Sequence, residues 1–181
     1  MVHTAPNTKP LQDLFKRAVD YASFIIRESA QLGPSILISA TDGSHFFLTG
    51  DTSDDLAKDR FVREARLACI AYGAEAVVFV SEAWMSRRLS KRPSESPDRE
   101  EIVILLGEAY ESNLRKLFRV LRSESGPVVS IVECADLPLD QAKGRFTNIL
   151  PLRRPTAEHQ AQAKKLLAEL GVSNRVTALA V

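Results

Sequence analysis

The chain has 181 residues, 45% of them hydrophobic and 26% charged, which fits a folded globular chain and excludes a disordered or low-complexity one. Lys and Arg total 24 against 23 Asp and Glu, so a net charge of +1 creates no overall field to draw in nucleic acid or an anionic membrane. The longest apolar runs, Ala76–Val80 and Ile102–Leu106, are strand-sized and far short of the ~20 residues that cross a bilayer.

Met1–Pro10 is polar, with no apolar stretch of the secretory kind. Cys69 and Cys134 are too few for a disulfide framework and read as reduced core thiols. These features together point to a cytoplasmic protein. One domain is expected over 1–181. It divides into a flexible N-terminus (1–9), an α+β core (10–155), a C-terminal helix (156–171) and a tail (172–181).

Residues 10–32 read as a helix. Leu11, Leu14, Phe15, Ala18, Val19, Ala22, Ile25 and Ile26 recur at three- and four-residue steps and form one apolar stripe. Leu32-Gly33-Pro34 ends it. Ser35–Ala40 and His45–Thr49 read as strands joined by Asp42-Gly43, a hairpin signal for a type I′ turn with positive φ at both central residues. A second helix opens after Gly50-Asp51-Thr52-Ser53-Asp54-Asp55, with Thr52 or Ser53 as candidate cap. Its apolar face runs from Leu56 to Tyr72, and Gly73 stops it.

Ala76–Trp84 begins as a continuous apolar run, which predicts a strand covered on both faces at its start. Met85–Arg99 is a long polar loop. Glu100–Gly107 is the next strand. Leu114–Arg122 fits either period, since Leu114, Leu117, Phe118 and Leu121 also suit a helix. Its place between two strands favours a strand, in a meander running through Val128–Cys134. Residues 135–155 look irregular. Thr156 then caps a last helix carrying Ala163, Leu166, Leu167 and Leu170, closed by Gly171.

The order α-β-β-α-β-β-β-β-α predicts an α+β fold. Short turns between neighbours imply an antiparallel sheet of about six strands with helices mainly on one face. The arrangement resembles profilin-like and roadblock-type sheets at the level of fold, which implies no function.

The loop after the third strand draws attention. It holds the only Trp at its start, Trp84, and the cations Arg87, Arg88, Lys91, Arg92 and Arg99, stiffened by Pro93 and Pro97. Glu82-Ala83-Trp84 followed by Pro93-Ser94-Glu95-x-Pro97-Asp98-Arg99-x-Glu101 resembles a pattern of small bacterial and phage-associated proteins to which no activity is attached. The resemblance covers the middle third of the chain and implies lineage without chemistry. Trp and Arg dominate interface hot spots, so Trp84, Arg88, Arg92, Glu95, Asp98 and Arg99 are the candidate partner-binding residues. The bland alternative has Trp84 plugging the end of the sheet while Glu95, Asp98 and Arg99 pair to hold the connection closed.

Other constellations are weaker. Asp51, Asp54, Asp55 and Asp59 lack calcium-loop spacing and suit a helix N-terminus. His3, His45 and His159 are scattered, and no Cys-x-x-Cys, nucleophile elbow or phosphate-binding glycine loop occurs. No cofactor and no metal site is therefore expected. Lys143-Gly144-Arg145-Phe146 and Leu152-Arg153-Arg154 are basic and could serve nucleic acid, against the neutral overall charge. The leading expectation is a non-enzymatic cytoplasmic interaction module that binds a protein partner or a second copy of itself. A metal-dependent hydrolase or nuclease using Glu82, Glu95, Asp98 or the Asp51–Asp55 cluster, and a nucleic-acid-binding accessory protein, are the alternatives.

Overall fold

The computed structural model describes residues 8–29, 31–86, 93–135 and 144–179. The elements are α1 (Lys9–Ser29), β1 (Ser35–Ala40), β2 (His45–Thr49), α2 (Asp55–Ala71), β3 (Ala74–Met85), β4 (Glu100–Ala109), β5 (Ser112–Arg122), β6 (Val128–Glu133), α3 (Ala157–Glu169) and β7 (Val176–Leu179). One seven-stranded sheet runs in the order β6-β5-β4-β3-β1-β2-β7, with every neighbouring pair antiparallel. The α+β class and the antiparallel sheet are those expected.

Two features differ from the expectation. The first is the seventh strand. Residues 176–179 belong to the sheet rather than to a tail, and His45–Leu48 pair with them. The mildly apolar Val176-Thr177-Ala178-Leu179 was too short to carry a period of its own. The second is the covering of the sheet, which has helices on both faces. The α1 stripe of Leu11, Leu14, Phe15, Ala18, Ala22 and Ile26 packs on Leu37, Ala76, Val78, Val80, Val103 and Leu105. The alternate strand residues Ile36, Ile38, Leu48, Val77 and Phe79 turn to the other side and meet α2 and α3. Strands buried on both faces lose the apolar–polar alternation that marks a half-exposed sheet, which is why Ala76–Val80 reads as one continuous run.

β2 and β3 lie parallel on either side of β1, and α2 makes the crossover between them. Gly107 of β4 sits under α1, where a Cβ would come within 2.9 Å of both Leu11 and Phe15. The missing side chain lets the helix lie close to the sheet.

Local details refine the sequence reading. The β1–β2 turn has positive φ only at Gly43, so it is not type I′. Instead the Asp42 carboxylate accepts from the Ser44 N–H at 2.9 Å and fixes a four-residue connection. The cap of α2 is Asp54, whose side chain accepts from Ala57 N at 2.7 Å, rather than Thr52 or Ser53. Thr156 caps α3 as expected, accepting from His159 N. Gly73 and Gly171 adopt positive φ just past α2 and α3. Cys69 and Cys134 are both buried and unbridged, and burial pushes the Cys69 thiol far above its ordinary range. No helix among the described residues is long and apolar enough to cross a membrane.

Candidate functional site

β3 outlasts its helical cover. Its first half is sandwiched between helices, and its second half runs on through Ser81–Met85, paired residue by residue with Glu100–Ile104. Glu82 and Trp84 follow Val78 and Val80 on the α1 side, beyond the end of the helix. Trp84 consequently keeps 43% of its surface exposed, although it stands on the longest strand of the sheet.

The connection returning to β4 folds over this end. A single 3-10 turn, Pro93–Glu95, leads into it. Arg99 places its guanidinium 5.0 Å from the centre of the Trp84 ring, within cation–π range. The same guanidinium donates to the Ser94 carbonyl at 2.7 Å, and the Arg99 N–H donates to the Ser96 carbonyl. Ser96 is buried and its hydroxyl oxygen accepts from the Ser86 hydroxyl at 2.9 Å. The loop is thus tied to the strand at two points, and Arg99 is aimed by its own turn.

Trp84 and Arg99 are therefore brought together. Glu95 and Asp98 lie on the same returning segment with exposed side chains. The Asp98 N–H points to Ser96 Oγ at 3.4 Å. Arg88 and Arg92, with Arg87 and Lys91, lie outside the described residues.

A charged row next to the indole was missed in the sequence. Trp84 is opposite Glu101 in the register. Glu101 takes a two-pronged contact from Arg122 of β5, at 2.7 and 2.5 Å. Such pairs form between strands, so only the register reveals them. Glu82, two residues before Trp84, accepts from Leu32 N at 3.1 Å. Its burial lifts its pKa above the ordinary glutamate range. The Leu32 N–H pulls it down, and the neighbouring Glu101 carboxylate adds to the rise.

This shift has a sign. With the native carboxyl holding its proton more tightly than the unfolded one, its contribution is complete at low pH and is lost as pH rises through the raised pKa. Glu82→Gln keeps an oxygen for Leu32 N and cannot ionise. We expect the variant to gain stability relative to the natural chain as pH climbs past the ordinary carboxylate range. Urea unfolding at steps between about pH 4 and about pH 8 checks this, and a pH-independent difference would contradict it.

The other candidates are engaged elsewhere. Arg145 bridges Asp55 at 2.9 Å and Asp59 at 3.1 Å, so this part of the acidic cluster is neutralised by a cation of the chain itself. Phe146 stacks on Phe79 with ring centres 4.2 Å apart, which takes it out of any aromatic platform for bases. No group of three or more His, Cys, Asp or Glu among the described residues is placed to hold a metal ion. Compared with protein-family models, with curated proteins and with solved structures, the chain matches none.

Proposed function

We propose that the chain is a non-enzymatic cytoplasmic recognition module, and that the Trp84–Arg99 end of its sheet is the surface that meets a protein partner. One observation carries the reading. A large aromatic side chain on a central strand is left exposed beyond the helical cover, with an arginine held on its face by the loop that follows. A rigid, half-exposed Trp beside a pre-aimed Arg combines the two residue types that concentrate binding energy in protein interfaces. A strand-mounted anchor of this kind loses little conformational freedom on binding. Arg122 and Glu101 supply a polar margin beside it. Glu95 and Asp98, exposed on the returning segment, belong to the same proposed surface. The partner is a second protein or a second copy of this chain.

The test compares immobilised natural chain, the double variant Trp84→Ala/Arg99→Ala, and Leu56→Ala. Leu56 is an exposed leucine of α2, on the other side of the sheet. All three are expected to stay folded, because the altered side chains lie outside the buried clusters. A protein retained by the natural chain and by Leu56→Ala, and lost with the double variant, supports the reading. Equal retention by all three folded proteins overturns it.

A further inference from the structure

A groove of about 570 Å³ lies on the far side of the sheet, where α2 and α3 meet beneath the segment 151–156. Its floor is apolar: Leu67 and Ile70 come from α2, and Ala163 and Leu166 from α3. Arg153, Arg154 and His159 stand around it. No Asp or Glu lines it. Arg154 lines the groove and lies 5.2 Å over the ring of Tyr110, a residue just outside the lining. Neither Arg153 nor Arg154 has a carboxylate partner among the described residues, whereas Arg122, Arg145 and Arg175 each have one.

We propose that this groove binds a small amphipathic anion, with an aliphatic or aromatic body on the α2–α3 floor and an oxyanion head, carboxylate or phosphate, at Arg153 and Arg154. Four properties converge on that class. The volume falls within the several hundred Å³ usual for small-molecule sites. The floor rewards apolar surface, and Leu166 still exposes 46% of its own. The rim offers only positive charge, so a bound carboxylate would meet donors and no repelling acid. The N-terminus of α3, whose cap Thr156 and first-turn His159 line the groove, opens at the same place, where a helix favours negative charge; the acid of that turn, Glu158, is not among the lining residues. The site is independent of the Trp84 surface, which lies on the opposite face.

Calorimetric titration of the full chain with decanoate, decyl phosphate and decanol tests the proposal. One saturable site for decanoate or decyl phosphate is expected, with the tighter of the two naming the head group, and decanol at least tenfold weaker. Arg153→Gln/Arg154→Gln, at two exposed positions, is expected to weaken anion binding at least tenfold. Ala163→Leu, which fills the floor, is expected to weaken both anions and decanol. Absence of saturable binding, equal affinity for decanol, or affinity unchanged in the arginine variant overturns the proposal. Conversion of a dimer to a monomer by Ala163→Leu also overturns it, because the groove would then be a contact between copies. Should Ala163→Leu fail to fold, the arginine variant and the decanol comparison decide alone.

Discussion

Gly50→Ala is expected to destabilise the fold by about 3 kcal/mol, the upper part of the range for forcing extra atoms into a packed core. Gly50 follows β2, and its N–H donates to the Pro34 carbonyl at 3.1 Å. A methyl group there would stand 2.1 to 2.5 Å from three ring carbons of Phe61. The ring has nowhere to go. Phe61 is fully buried, and beyond it lies Phe146, itself stacked on Phe79. Either the ring leaves its rotamer or the 50–54 segment lifts off the sheet. For a chain of this size the loss corresponds to roughly 6–12 °C in Tm. Denaturant midpoints measure it, and a change under about 0.5 kcal/mol would refute the packing argument. A second variant isolates the cause. Adding Phe61→Leu removes the ring and should recover part of the loss, so the two changes together cost less than their sum.

Glu108→Ala should cost a similar amount, about 3 kcal/mol, for a polar reason. The Glu108 carboxylate at the end of β4 accepts from three successive backbone N–H groups, those of Asn148 at 2.5 Å, Ile149 at 2.8 Å and Leu150 at 3.3 Å. Those groups point the same way because Asn148 adopts φ 57°, the left-handed conformation. The segment they belong to has no helix or strand, yet it carries Phe146 and the fully buried Ile149 into the α2–α3 layer. Removing the carboxylate leaves these donors without their acceptor and loosens the anchor of two core side chains. Glu108→Gln, retaining one acceptor oxygen, should cost about half as much. Unfolding free energies and amide exchange at 148–150 measure both. Near-natural stability and protection in Glu108→Ala would refute the role.

The same segment shows where a linear reading fails. Residues 135–155 look irregular in the sequence, and 144–155 hold no helix or strand in the structure. Irregularity was legible, but its structural importance was not. The partners of Asn148 and Ile149 sit some forty residues upstream in Glu108, and no local period marks such a contact. β5 shows a different difficulty. Leu117 and Phe118 are neighbours buried on opposite sides of the sheet, in separate apolar clusters. A strand that feeds two layers places apolar residues at adjacent positions, which imitates helical spacing. The long amphipathic α1 was plain because its stripe serves one layer only. At the Trp84 surface, composition pointed to the aromatic residue and the cations. The pairing of Glu101 with Arg122 and the buried Ser96 needed the register and the fold of the loop.

The double covering of the sheet has a cost in uniqueness. In a sheet with one wet face, a strand displaced by a single residue exposes its apolar set, and water rejects the mistake. Here a slip in β3 would exchange Ala76, Val78 and Val80 for Val77 and Phe79, one greasy inventory for another. Only bulk tells the two apart, since the alanine on one side and the phenylalanine on the other cannot trade places without a void and a collision. A one-residue insertion in that strand, nearly invisible to any hydrophobicity profile, would therefore trap the chain among compact misalignments.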